Sequence, residues 1–303
     1  MADDTVKRAG VIGLGAMGFG MASSLARAGF EVSGYDPAPA AQERASDAGI
    51  APLASPEDVF ATAEIIVLSL PAAAHVEAAI AAAQGAGLLA VGAAPKVIID
   101  TSTSEAEVSR KLAAELADAG HGFLDAPVSG GPSGAAAGQL SVMLGGDEAW
   151  AGRAMPALEA MAAKILHVGP SGAGNVAKLV NNMLAASHMI TTLEALRLAE
   201  AAGVGAEDAL RVINSATGRS AISEIHYPNW VLPRSFDSGF STGLMRKDVR
   251  LARELAERSG CAMPVADLVA ELWAEENSGL KDADDFMHMG DPAVDRLSKK
   301  EKM

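Results

Sequence analysis

A chain of 303 residues, half of them hydrophobic but only 4% aromatic, exceeds the usual size of one core, so two domains are expected. Its 24 Lys and Arg stand against 38 Asp and Glu, and the net charge of −14 repels phosphate backbones, which sets nucleic acid aside as a partner. Cys261 is the only cysteine, which excludes an internal disulfide and a thiolate metal cluster.

The first residues, M-A-D-D-T-V-K-R-A-G, contain no apolar signal region. The most apolar longer stretch, Gly85 to Ala94, is broken by Gly and too short to cross a bilayer. A cytoplasmic protein without a membrane partner is expected.

The first half alternates strand and helix. Ala9–Gly13 is a short apolar run, and Ala16–Ala28 follows with helical spacing up to the stop signal Gly29. Glu31–Tyr35 reads as a second strand, then come a helix near Ala38–Ala48 and a short one after Ser55-Pro56. Glu64–Leu70 is a buried strand stopped by Pro71. Lys96–Asp100, Gly122–Leu124, Gln139–Leu144 and Ile165–Val168 supply further strands, with Ser104–Ala119 and Asp147–Ala163 as helices between them. This alternation predicts an α/β, Rossmann-like, doubly wound and mostly parallel sheet over residues 1–169. After Gly169 the pattern turns all-helical, giving a second, all-helical domain over 170–303. Its first helix, Asn175–Ala202, has no internal Gly or Pro and would span roughly 42 Å, a spine between two domains or two subunits. Glu207–Ala216, Gly243–Arg258 and Pro264–Asn277 read as further helices, and from Lys281 on the chain is charged and expected to be loosely ordered.

Several segments carry chemistry. Gly13-Leu14-Gly15-Ala16-Met17-Gly18 lies between a strand and a helix. Gly13 permits the tight turn, Gly15 lets a pyrophosphate approach the backbone, and Gly18 allows close helix–strand packing. Asp36 closes the next strand at the distance this fingerprint expects. It would accept from the ribose hydroxyls and repel a 2′-phosphate, favouring NAD over NADP. Arg44 reads as a surface helix residue. Leu70-Pro71, and Ser102 and Thr103 after Asp100, stand at strand ends that converge on the ligand crevice of such a sheet. Ser102, three before Glu105, fits a capping box equally well. Asp125-Ala126-Pro127-Val128-Ser129-Gly130-Gly131 is a donor-rich loop suited to a carboxylate, or a plain turn. Lys178 and Asn182, four residues apart on the long helix, share a face as a polar site or as a solvated stripe.

Taken in order, G-L-G-A-M-G-x-x-M-A with Asp36, Leu70-Pro71, Asp100–Thr103, D-A-P-V-S-G-G-P-x-G-A, G-x-G-x-x-x-K-x-x-x-N from Gly172 to Asn182, and L-M-R-K-D from Leu244 to Asp248 resemble the β-hydroxyacid dehydrogenase family, of the 3-hydroxyisobutyrate dehydrogenase and tartronate semialdehyde reductase type. The resemblance covers roughly Gly10 to Leu280. It implies Lys178 as catalytic acid/base, and Asn182, Ser129, Gly130 and Gly131 as substrate holders. It also implies that Lys247 reaches back to the cofactor region, and that the protein is a homodimer or homotetramer. Phe240 is a further expected cofactor contact or a packing residue, and Arg219 could meet a second anionic group of the substrate or serve as an interdomain salt-bridge partner. The six histidines show no ligand spacing, and Asp282, Asp284, Asp285 and His288 read as a solvated acidic end, so no metal is expected. The expected activity is NAD-dependent hydride transfer at the β-hydroxyl of a small 3-hydroxy acid. Reduction of a small aldehyde acid, of tartronate, succinic or sulfolactaldehyde type, is an alternative, as is threonate or serine oxidation. A non-catalytic NAD-binding protein would not need Lys178, Asn182 and Ser129 together, and imine reductases of this architecture typically lack the lysine.

Overall fold

Short apolar runs bounded by Gly, Pro or Asp become the strands of the first unit. In the computed structural model, whose described residues are 7–292, the order begins β1 (Arg8–Ile12), α1 (Ala16–Arg27), β2 (Glu31–Tyr35), α2 (Pro39–Asp47), β3 (Ala51–Pro52), α3 (Pro56–Thr62). It continues β4 (Ile65–Leu68), α4 (Ala73–Gly85), β5 (Val97–Asp100), α5 (Ala106–Asp118), β6 (Gly122–Asp125). Then come β7 (Val128–Ser129), α6 (Gly131–Ala137), β8 (Leu140–Gly145), α7 (Glu148–Met161) and β9 (Ala162–Gly169). The chain folds as two units, Met1–Lys178 and Leu179–Met303.

One sheet runs β3-β2-β1-β4-β5-β6-β8-β7, with β9 on β8. The first six strands are parallel, in the order of a doubly wound dinucleotide fold whose connections reverse between β1 and β4. β8 lies antiparallel to β6 and β7, and β9 parallel to β8. The Ile65-Ile66-Val67-Leu68 run of β4 is buried throughout because helices cover both faces. Its alternate residues enter two cores: Ile65 and Val67 pack with Val11 and Ile99, while Ile66 and Leu68 pack with Ile12, Ile98 and Phe60. Local capping starts the helices, as where Ser55 accepts from the Asp58 N–H at α3 and Asp147 from the Ala149 N–H at α7.

α8 (Ala173–Ala201) begins in the first unit. The second unit continues with α9 (Ala206–Ser215), a π-helical segment Ile222–Val231, α10 (Thr242–Arg258), α11 (Pro264–Trp273), α12 (Glu275–Ser278) and a 3₁₀ turn, Phe286–Gly290. The one extended pairing among its described residues is the isolated Ser241–Asp285 bridge. Its core gathers Leu179, Met183, Met189, Tyr227, Met245, Val249 and Trp273, and the Trp273 indole N–H donates to the Ala186 carbonyl at 3.2 Å.

Several expectations are corrected. α4 and α6 are helices that periodicity does not reveal: Ala on every face of α4 leaves little contrast, and α6 opens on Gly-Pro-Ser-Gly, which reads as a loop. The donor-rich loop contains the short strand β7. The helix expected over Pro264–Asn277 is broken at Ala274, whose extended ψ of 148° separates α11 from α12. The segment expected to be loose from Lys281 is packed as far as Asp291: Phe286, Met287 and Met289 are buried, and Asp291 pairs with both terminal nitrogens of Arg234 at 2.9 Å. Residues 293–303, also within that expectation, lie outside the described residues.

Candidate active site

The glycine turn of the first unit is built around clashes that only hydrogen atoms avoid. Gly13 has φ +91°, and a Cβ there would lie 2.2 Å from the Ser69 carbonyl oxygen. A Cβ on Gly18 would lie 1.8 Å from the Gly13 carbonyl oxygen, so α1 sits directly on the turn. Gly15 differs: a Cβ would meet nothing within 4 Å, and the first turn of α1 carries no acid. The start of α1, with Gly15 and Ala16 exposed and Met17 half-buried, is thus open to an anion, and these residues fit the pyrophosphate of a dinucleotide. Leu14 has its side chain in the core, so only its main chain faces this turn. Its N–H donates to Asp36 Oδ2 at 2.7 Å, and the Ala38 N–H donates to Oδ1 at 2.9 Å. Each carboxylate oxygen keeps a lone pair for a ribose hydroxyl. Arg44 is an exposed residue of α2, as its reading expects; it donates to the Leu14 carbonyl at 2.6 Å, and its guanidinium lies 4.6 Å from the Phe19 ring centre.

The carboxyl ends of β4 and β5 meet beside this turn. The Ser102 hydroxyl accepts from the Leu70 N–H at 3.0 Å, and the Ser102 N–H donates to Asp100 Oδ1 at 3.0 Å. The capping box is not formed; Glu105 is the N-cap of α5, and the Ser102 hydroxyl ties two strand ends together instead. Leu70, Pro71, Ser102 and Thr103 therefore fall at the crevice end of the sheet, with a Leu70 methyl 3.2 Å from where a Gly13 Cβ would stand. Ser129 is half-buried on β7 opposite Ser141. Gly130 and Gly131 follow with φ +127° and +63°, values that turn the chain into α6.

Lys178 and Asn182 are 7% and 5% exposed, which removes the solvated-stripe reading. The turn of α8 before Lys178 is held by residues that spacing does not single out. The buried Asp125 carboxylate accepts from the Gly172 N–H at 2.7 Å and the Asn175 N–H at 3.0 Å. Burial pushes that carboxylate above its ordinary range, and these peptide donors pull it back. Asn175 Oδ1 accepts from the Ser104 N–H at 3.0 Å, and its Nδ2 donates to Ser109 Oγ at 3.0 Å.

In the second unit Asn182 Nδ2 donates to Asp248 Oδ2 at 2.6 Å, and the Asn181 amide donates to Asn182 Oδ1 at 3.1 Å. Lys247 Nζ stands 3.4 Å from Asp248 Oδ1, so the L-M-R-K-D motif is joined to Asn182 through its aspartate. Arg246 is occupied elsewhere, by the Trp273 and Leu280 carbonyls, Ser278 and Asp282. Phe240 packs edge-on against Phe286, whose ring also meets His226 edge-on. Burial lowers the His226 pKa, partly offset by Asp285. Arg219 is 61% exposed, and its guanidinium lies 3.9 Å from Glu224.

Residues 8–169 match the family model of the NAD binding domain of 6-phosphogluconate dehydrogenase, and residues 172–292 that of the NAD-binding of NADP-dependent 3-hydroxyisobutyrate dehydrogenase. The chain belongs to the β-hydroxyacid dehydrogenase family. It is 37% identical to an NAD-dependent L-serine dehydrogenase of Pseudomonas aeruginosa, over 88% of this chain and 91% of that one. A probable 3-hydroxyisobutyrate dehydrogenase of Mycobacterium tuberculosis is 38% identical over 87% and 90%. The solved structure of M. tuberculosis 3-hydroxyisobutyrate dehydrogenase with L-serine superposes with a TM-score of 0.85 at 36% identity, covering 94% of this chain and 97% of that one. The β-hydroxyacid dehydrogenase described here is thus an oxidoreductase that uses a nicotinamide cofactor on a small molecule. Among its described residues no helix is long and apolar enough to cross a membrane.

Proposed function

We propose that the chain oxidises the β-hydroxymethyl group of a small 3-hydroxy acid with NAD, Lys178 serving as general base and, in the reverse direction, as general acid. The observation that carries the reading is the burial of Lys178, a primary amine only 7% exposed one turn beyond a hydrogen-bonded helix start. Relatives named for 3-hydroxyisobutyrate, L-serine and 2-(hydroxymethyl)glutarate support the substrate class. All three compounds carry CH₂OH on the carbon next to a carboxylate. When bound, the nicotinamide supplies the acceptor for the hydride of the carbinol carbon.

The neutral amine of Lys178 takes the hydroxyl proton as the carbon–oxygen bond becomes a carbonyl, and the ammonium returns it in reduction. Asn182 keeps a second N–H beyond the one given to Asp248, and that donor suits the substrate oxygen. Ser129 Oγ and the peptide N–H groups of Gly130 and Gly131 take the carboxylate, while Asp36 favours NAD over NADP. Domains over 1–169 and 170–303, Phe240 and Lys247 at the cofactor, Arg219 at a second substrate anion, a homo-oligomer and a cytoplasmic location belong to the same reading.

Positioned proton transfer is worth about 10²–10⁴-fold. Lys178→Ala is therefore expected to lose kcat on that scale in a screen of 3-hydroxyisobutyrate, L-serine, 2-(hydroxymethyl)glutarate and glycerate, while still binding NAD. Unchanged turnover would remove the lysine from the mechanism. No turnover by the wild type on any of these acids, with NAD bound, would favour a non-catalytic NAD-binding protein.

A further inference from the structure

We propose that Asp125 and Asn175 are positioning residues that fix the first turn of α8, and with it the amine of Lys178, to the carboxyl end of β6 and to the start of α5. The proposal rests on the reading of Lys178 as the acid/base. A helix leaves its first N–H groups without partners. In α8 the Gly172 and Asn175 N–H groups are satisfied from another element, by the two oxygens of one buried carboxylate at the end of β6. The Asn175 side chain then turns to the segment after β5, accepting from Ser104 N–H and donating to Ser109 Oγ. One turn of helix is thereby bolted to the end of β6 and to the start of α5.

The fit leaves no room for slippage. A Cβ at Gly174 would lie 2.5 Å from the Asp125 carbonyl oxygen and 2.3 Å from that of Met143, and one at Gly145 would lie 2.7 Å from Asp125 Oδ1. Gly172, at φ +88°, would drive a Cβ to 2.8 Å from the Ala106 carbonyl oxygen. The glycines of G-x-G-x-x-x-K thus let a carboxylate and a helix turn occupy the same small space. They do not open that space to a ligand.

What is bolted there bears on the reaction. Lys178 lies three residues past Asn175 on the same helix, hence on the same side. Ser129 lies four residues past Asp125. Ser104 lies two residues past Ser102, whose hydroxyl holds the Leu70 N–H. The proton-transfer amine, the carboxylate loop and the crevice strand ends therefore share one register. Any loosening of the turn moves the amine relative to the others, and displacements near 1 Å can cost about 10²-fold in rate.

The experiment compares Lys178→Ala, Asp125→Asn, Asn175→Ala and Ser109→Ala, reading kcat per cofactor-binding site, with sites counted by NADH fluorescence titration. Asp125→Asn keeps the shape but turns an NH₂ toward a peptide N–H. Ser109→Ala removes a single hydrogen bond and guards against loss of folding in the other two. For Asp125→Asn and Asn175→Ala, kcat per site should fall about tenfold or more with the NADH Kd within about twofold. Ser109→Ala should lower it about two- to fivefold. A purely structural brace would reduce the number of sites and leave kcat per site unchanged; that result, in Ser109→Ala and in whichever of the other two folds, overturns the proposal. A dead Lys178→Ala beside fully active brace variants overturns the brace alone, whereas a fully active Lys178→Ala overturns both.

Discussion

Two glycine-rich turns lead into helices of the first unit, and they serve opposite ends. At Gly13–Gly18 the glycines pull α1 against the strand end but leave the space over Gly15 empty, with no acid in the first turn. At Gly172–Gly174 the glycines pull α8 down onto a carboxylate of the protein's own, and Asp125 takes the N–H groups that an external anion would otherwise take. Both helix starts present N–H donors that lie outside the helix's own ladder, and a positive dipole end. The first is left open over Gly15 and the second is a socket for a side chain. A helix N-terminus next to glycines therefore says that something anionic belongs there, and the surrounding fold decides whether the chain supplies it.

The largest effect that tests this contrast is Gly174→Ala. Its Cβ would sit against two carbonyl oxygens, and overpacking of this kind costs about 3 kcal/mol, so the melting temperature should fall by several degrees. A Gly174→Ala protein as stable as wild type would mean the socket is loose. Gly15→Ala should show the reverse signature: unchanged melting temperature, because the new methyl meets nothing, but NAD binding weakened about tenfold, or about 1.4 kcal/mol. If binding were untouched, the open turn would not be where the pyrophosphate rests. Asp36→Ala sharpens the same turn. It removes the acceptor of the Leu14 N–H, and the ratio of NAD to NADP affinity is expected to fall severalfold; an unaltered ratio would deny Asp36 its ribose role.

The smallest effect lies at the amino ends of the strands, away from both turns. His121 is buried, its Nδ1 accepts from the Lys96 N–H at 3.2 Å, and burial with Lys96 nearby lowers its pKa. The unfolded chain takes up that proton near pH 6.5 and the folded one only at lower pH, so stability should decline as pH drops below about 6.5. Asp125 opposes this at more acid pH, since its raised pKa lets the folded state recover stability on protonation. Melting curves of wild type and His121→Asn between pH 7.5 and 5.5 isolate the histidine. Parallel curves would show that it contributes nothing.

Most of the architecture is legible in the chain alone. The strands Ile65–Leu68 and Val97–Asp100 announce themselves as apolar runs because both faces of a parallel sheet are covered. α4 does not, since alanine neither opposes nor marks a face, and α6 does not, since its Gly-Pro-Ser-Gly start has the residues of a turn. The packing of Phe286–Gly290 is hidden behind the charges of Asp282, Asp284 and Asp285. Asp285 in fact caps that turn through Met287 N–H, and it also accepts from Ser238 and Gly239. Lys178, Asn182, Asp36 and the glycines can be named from ordered motifs. The part played by Asn175 cannot, because nothing in a run of residues says that its amide reaches Ser104, 71 positions away.

Local order along the chain is enough to specify the strands and helices, the glycine turn after β1 and the long helix that follows Gly172, because each depends on neighbours within one or two turns; their alternation then gives the parallel sheet, and the order of the motifs gives the family. Which donors are already spent, which carboxylate is buried and which glycine faces empty space depend on groups dozens of residues apart. Only folding brings those together, and so only the folded chain distinguishes the turn that is left open from the turn that is filled from within.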